Sequence, residues 1–214
     1  IDHHDTLEAN GLMGYVDSAH SACGEIIAEI YTSTNIPFDK ESAIALYVAI
    51  ATDTGGFRFS NTTSKTHEIT SNLLKTDIDV EDINTKIFES FTKEQFELLK
   101  RILNRVEFRA GGKVSYSYLY LKDFEEIDAT LEDCHQLTNY LRNIENVVVG
   151  VLFVELEDDK TKVSLRSRKT FHSGEFLTQF GGGGHRCAAG GILDMPFESA
   201  KDKILTELEK SFQK

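Results

Sequence analysis

No apolar run in this chain approaches the roughly 20 residues that a membrane-spanning helix needs. The longest, VVVGVLFVEL, has the length of a buried strand. Cysteine is scarce: Cys23, Cys134 and Cys187 lie far apart, with no C-x-x-C spacing. That argues against a zinc ribbon or a disulfide framework and points to a reducing, cytoplasmic setting. Cations are outnumbered, 23 Lys and Arg against 35 Asp and Glu, for a formal charge of −12. Such a chain does not suit generic DNA coating, which depends on a broad positive surface. A local basic pocket still attracts anions, so a phosphate substrate stays admissible. Internal repeats are missing, and four consecutive glycines at 181–184 are the only local bias.

What is present is ordinary for a globular protein: 214 residues, 40% hydrophobic and 27% charged, enough for one large domain or two small ones. The first half reads as α/β. ACGEIIAEIYTST carries an apolar stripe at 26, 27, 30 and 31, with Ser21 as its expected cap. DKESAIALYVAIATDTGG predicts a helix stopped by Gly55 and Gly56 after Asp53. TSKTHEITSNLLKT and VEDINTKIFESF predict two more. TKEQFELLKRILNRVEF predicts a longer one, with Phe96, Leu99, Ile102, Leu103 and Val106 on one face. RAGGK then breaks the pattern and strand-like alternation begins, which places a domain boundary near residue 110. The remainder predicts a helix over LEDCHQLTNYLRNI, a hairpin of NVVVGVLFVEL and KVSLRSR, a short helix over SGEFLTQF, and a final amphipathic helix.

Three stretches carry chemistry. Asp2-His3-His4 offers imidazole nitrogen and carboxylate oxygen, a ligand mixture for Mn²⁺, Fe²⁺ or Zn²⁺ rather than calcium. Neighbouring residues of a regular strand face opposite ways, so His3 and His4 act together only where the chain turns. Taken singly, the trio reads better as solvated side chains near a terminus, or as part of a tag. In ATDTGGFRFSNTT, Asp53 closes an apolar helix, where an unpaired carboxylate is costly to bury. It either caps something or meets a cation. Arg58, Ser60, Asn61 and Thr62 follow as a donor-rich loop suited to phosphate oxygens.

The third stretch is VSLRSRKTFHSGEFLTQFGGGGHRCAAGG. Arg166 and Arg168, two residues apart on a strand, share a face from which guanidinium groups grip phosphate. Consecutive glycines allow positive φ and close backbone approach to an anion, and His185 follows them directly. A flexible linker is the bland alternative, weakened by the small apolar residues Cys187, Ala188 and Ala189. The run is neither a P-loop nor a dinucleotide fingerprint. Phe171, Phe176 and Phe180 offer rings for base stacking, the last two better placed for core packing.

In this order, DHH, TDTGGFRFSNTT and GGGGHRCAAGG resemble the DHH phosphoesterase superfamily with its DHH-associated C-terminal domain. More narrowly, the chain is similar over essentially its whole length to the bacterial oligoribonuclease and pAp-phosphatase type. The resemblance implies an α/β protein of two domains: the C-terminal portion of a parallel-sheet DHH domain (1–110), then a smaller α/β substrate-binding domain (111–214), with the active site in the cleft between them. It implies a hydrolase using two Mn²⁺ ions about 3.5–4 Å apart to drive in-line displacement at phosphorus. His3 and Asp53 match ligands of one ion. Asp2 would orient the imidazoles, and His4 would face the phosphate. Arg166, Gly182, Gly183, Gly184 and His185 match the substrate-gripping surface, with Arg168 and Arg58 as further additions.

Expected substrates are short RNA oligonucleotides and adenosine 3′,5′-bisphosphate (pAp). Cyclic-dinucleotide phosphodiesterase or RecJ-like single-strand exonuclease activity is the alternative, and an RNA-binding module the non-enzymatic one. No membrane partner is expected, and the oligomeric state stays open, a homodimer included. The family's earlier H-x-D-x-D element and a bridging aspartate do not occur before Ile1. The resemblance therefore implies a parent protein of roughly 300 residues, and a chain starting at Ile1 is expected to be nearly inactive by itself.

Overall fold

The computed structural model describes residues 1–3, 14–134 and 136–213. The chain forms two compact units, Ile1–Ser90 and Phe91–Lys214.

The first unit is built on helices α1 (Cys23–Ser33), α2 (Lys40–Asp53), α3 (Ser64–Leu74) and α4 (Val80–Asn84), the last running into a π-helical turn at Thr85–Glu89. The helix predicted over 80–91 thus divides. Asp39 starts α2 by accepting the Ser42 N–H. Its buried residues Ala43, Leu46, Tyr47, Ile50 and Ala51 recur at helical spacing and face α1 and α3. Gly24 lets α1 approach: a Cβ there would lie 2.9 Å from Ala49 Cβ. The N-cap of α1 is Ala22, not Ser21. The Ser21 hydroxyl and N–H instead donate to the buried Glu25 carboxylate, at 2.6 and 2.9 Å. Of the expected parallel sheet, the described residues of this unit contribute one parallel bridge, Asp2 with Val16.

The second unit begins with α5 (Lys93–Asn104) and carries β1 (Glu107–Arg109), β2 (Val114–Leu119), α6 (Leu121–Glu125), α7 (Thr138–Arg142), β3 (Val149–Leu156), β4 (Lys160–Ser167), α8 (Ser173–Thr178), β5 (Gly183–His185), β6 (Ala188–Leu193) and α9 (Phe197–Phe212). Its six strands run in the order β1-β2-β3-β4-β6-β5. Only β2 and β3 pair in parallel, joined by a crossover through α6, a 3-10 turn at Leu131–Cys134, and α7. One face packs Val149, Val151, Phe153, Val163 and Leu165 against α8 and α9. The other packs Leu119, Leu152 and Val154 against Leu98, Leu99 and Ile102 of α5 and Leu141 of α7.

That second core moves the boundary. The sequence places it near 110, yet α5 buries Leu98, Leu99 and Ile102 on the sheet of the second unit. Each such side chain contributes about 1.5–3 kcal/mol when fully buried, enough to hold the helix there. The buried stripe also differs from the expected one, since Phe96 and Leu103 are 55% and 48% exposed. The helix expected over 131–144 is interrupted, with positive φ at Gln136 between the 3-10 turn and α7. The glycine run, where the sequence predicts no strand, contributes Gly183 and Gly184 to β5.

Candidate active site

In the first unit the site forms at the C-terminal end of α2. Thr54 stops the helix, and Gly55 and Gly56 follow at φ +59° and +68°. The left-handed φ at position 55 favours glycine, and the exposed Phe59 ring lies over its α-carbon. The turn leaves the Asp53 carboxylate 41% exposed, with its Oδ2 3.3 Å from His3 Nε2. The two residues that the sequence pairs are therefore brought together. His3 is set by its neighbour: Asp2 Oδ1 accepts the His3 backbone N–H at 2.6 Å. Asp2 is itself tied by exchange with the Tyr15 carbonyl and the Asp17 N–H. Asn61 adds a clamp, its Nδ2 donating to the carbonyls of both Ser21 and Asp53 (3.2 and 3.1 Å). His4 lies outside the described residues.

The donor set fits a divalent ion. Two ligands at metal bond lengths near 2.1 Å stand roughly 3 Å apart around one ion, and the His3–Asp53 separation matches. A carboxylate at the negative end of a 14-residue helix dipole is also unfavourable without a cation. Among the described residues, no group of three or more His, Cys, Asp or Glu side chains is arranged to hold a metal. His20 shows why a neighbouring cluster does not qualify. Asp17 Oδ2 lies 3.2 Å from its Nδ1, without hydrogen-bond alignment, and Glu29 Oε2 lies 3.1 Å from its Nε2. Carboxylates on opposite ring nitrogens do not converge on one ion. Arg58 is occupied locally, Nε donating to the Gly55 carbonyl at 2.6 Å.

In the second unit, two of the residues expected to contact substrate share one face of the sheet. His185 of β5 pairs with Ala188 of β6, Ala188 with Arg166 of β4, and Arg166 with Gly150 of β3. One register row thus carries His185 and Arg166 on the same face, with only alanine between them. Gly183 and Gly190 form the next row beside Ser164. The partly buried Arg166 donates to the Leu165 carbonyl (3.0 Å) and has no carboxylate partner among the described residues. Burial, then the positive charge of Arg142, lowers its pKa. A guanidinium so placed favours an incoming anion.

The glycines divide by face. Gly182 and Gly184 are needed for packing: a Cβ on Gly182 would lie 2.7 Å from Leu177 Cγ, and one on Gly184 2.5 Å from the Ala188 carbonyl. Gly174 of α8 matches them, since its Cβ would fall 2.3 Å from the Gly184 carbonyl. Of the three glycines 182–184, Gly183 alone has open space before its α-carbon, and it shares the side of Arg166 and His185. Gly184→Ala, at φ +140°, is expected to destabilise the second unit by about 1–3 kcal/mol or more. Gly183→Ala should leave the urea unfolding midpoint near that of the parent; equal losses in both would contradict this division.

Arg168 departs from the expected strand face. It follows β4, is exposed, and donates its Nε to the Val147 carbonyl at 2.7 Å. Phe171 stacks on Phe212 (5.8 Å between centroids) and lies against Phe176, so it belongs to the core with Phe176 and Phe180. Cys134 is buried, and burial pushes its thiol up to about 12, which leaves it inert as a nucleophile. Arg142 escaped the sequence reading. Its signal, a cation ending a short helix, is too common to single it out.

The chain matches the family model described as the DHHA1 domain over residues 97–214. It is similar to the bifunctional oligoribonuclease and PAP phosphatase NrnA of Thermus thermophilus, 28% identical over 99% of this chain and 64% of the relative. The Bacillus subtilis protein of the same name is 29% identical over 98% of this chain and 66% of its own length. A probable NrnA of Streptococcus mutans is 32% identical over 89% and 60%. The chain thus spans a little under two thirds of these relatives. Among solved structures, an exopolyphosphatase-related protein from Bacteroides fragilis shares the fold with a TM-score of 0.90 at 24% identity, covering all of this chain and 64% of that one. With more than half its length matched by the family model, the chain belongs to the DHHA1 family, the DHH-associated domain of the DHH phosphoesterases.

Proposed function

We propose that this chain is part of a metal-dependent phosphoesterase that hydrolyses short oligoribonucleotides and adenosine 3′,5′-bisphosphate in the cytoplasm. The observation that carries the reading is the approach of His3 Nε2 to Asp53 Oδ2 at 3.3 Å. The NrnA relatives support the substrate class, as their names describe oligoribonucleases and PAP phosphatases. His3 and Asp53 are the residues to hold a divalent ion, for which Mn²⁺ suits the mixed nitrogen and oxygen donors. When bound, such an ion neutralises charge on the phosphoryl group and supplies an activated water, and a second ion would complete a two-metal clamp.

The chain's own residues do the rest. Asp2 fixes the backbone from which the His3 imidazole projects. Asn61 holds the end of α2 against the Ser21 loop, so the Asp53 carboxylate keeps its place. Arg166, Gly183 and His185 offer donors on one open face, where a phosphate is gripped in an otherwise acidic protein. A local basic surface of this size suits a small substrate better than a long strand, which needs an extended cationic track.

The test is a substrate panel on the natural full-length protein with Mn²⁺: di- to pentanucleotides, pAp, cyclic di-AMP and pyrophosphate. Turnover of the short RNAs and pAp, lost on metal removal, is the expected result. Hydrolysis of pyrophosphate alone would overturn the substrate assignment. RNA binding without any turnover would favour the RNA-binding reading.

A further inference from the structure

The sheet face around Arg166 differs from the rest of the molecule in charge. In a chain of formal charge −12, the segments α7, β4, β5 and β6 contain no Asp or Glu. They contribute Arg142, Lys160, Lys162, Arg166 and His185. Within that face, α7 is pressed onto β3 beside Arg166. Gly150, the register partner of Arg166, has no room for a side chain: a Cβ would lie 2.6 Å from the Arg142 backbone nitrogen and 2.9 Å from Leu141 Cβ. Ser115 fixes the approach by donating to the Leu141 carbonyl at 2.9 Å. The backbone of Arg142 is thereby set above the strand pair that carries Arg166, its Nη2 donates to Asn143 Oδ1 at 2.9 Å, and its positive charge acts with burial to lower the Arg166 pKa.

Two guanidinium groups near each other in a partly dehydrated setting repel. A phosphodiester carries one negative charge and offsets one of them. A terminal phosphate monoester carries nearly two at neutral pH and offsets both. We propose that Arg142 is a specificity-determining residue of this face, which with Arg166 selects a dianionic phosphomonoester over a monoanionic phosphodiester. The inference deepens the phosphoesterase reading and rests on its assignment of this face to the substrate.

Equilibrium binding in EDTA separates the two, because neither hydrolysis nor a metal then contributes. The probes are adenosine 5′-monophosphate and its methyl phosphodiester, which share base and sugar and differ in one charge. The full chain is expected to bind the monoester roughly tenfold or more tightly, the scale of one charge-assisted bond. This preference should shrink as pH falls through about 6, where the monoester takes up a proton. Arg142→Gln should bring the monoester down to the level of the diester and leave the diester nearly unchanged. Arg142→Lys should recover part of the difference. Equal losses for both ligands, an unchanged ratio, or no preference in the parent chain would overturn the proposal. A retained preference beside inactivity on the substrate panel would instead sink the phosphoesterase reading and leave this one standing.

Discussion

His3→Ala and Asp53→Ala are each expected to cut Mn²⁺-supported turnover of the full-length protein by more than the roughly 10–100-fold that loss of an outer-shell partner costs. Mn²⁺ affinity, followed by electron paramagnetic resonance, should fall in step. Folding should hardly notice. The pair is partly exposed, 16% and 41% for the two side chains, and such surface ion pairs contribute about 0–1 kcal/mol. Removing the Asp53 charge also relieves its conflict with the negative end of α2, which favours the helix slightly. Activity and stability thus separate at these two positions. A variant that keeps full Mn²⁺ affinity would reduce the 3.3 Å contact to an ordinary ion pair.

Asp123→Asn is expected to do the opposite: leave the site residues in place and destabilise the second unit. Asp123 is 1% exposed and accepts from Arg105 (2.5 and 2.9 Å), Arg101 (2.7 Å) and the Tyr120 N–H (2.7 Å). Removing the carboxylate leaves two arginines without it, at a cost of about 3 kcal/mol. This is the low end for a broken buried pair, because the guanidiniums keep 23% and 25% of their side-chain surface in water. Burial pushes the Asp123 carboxyl up, but bonds from Arg105, Tyr120 and Arg101 outweigh it and hold the pKa at about 2. The folded value lies below the unfolded one, near 3.9. The contribution, about 2–3 kcal/mol, is therefore complete above pH ~4 and drains away as pH falls toward 2. Urea unfolding at pH 7 and at pH 2 checks both claims: the gap between parent and variant should narrow at the acid end. A constant gap would show that the charge is not its source.

Local patterns were legible where local rules decide them. The helix over Lys40–Asp53 and its stop at Gly55 follow from spacing and turn chemistry, and so does the β3–β4 hairpin. The pairing of His3 with Asp53 was legible only through resemblance, because fifty residues of chain separate them and no period links them. The boundary was misplaced because nothing in TKEQFELLKRILNRVEF says which core its apolar face meets. Phe96 and Leu103 satisfy helical spacing as well as Leu98 does, and only the sheet selects among them. Faces within the glycine run were equally out of reach, since identical residues carry no pattern. Register with β6 assigns them.

That seam between α8 and β5 has a consequence for saturation mutagenesis. Gly174 and Gly184 meet backbone to backbone, so intolerance there would report steric exclusion and would persist with every ligand tried. Such positions make false hotspots in an activity-selected library. Gly183, with open space before its α-carbon and a place in β5 on the side of Arg166 and His185, is the member of that strand whose score should change with the nucleotide supplied.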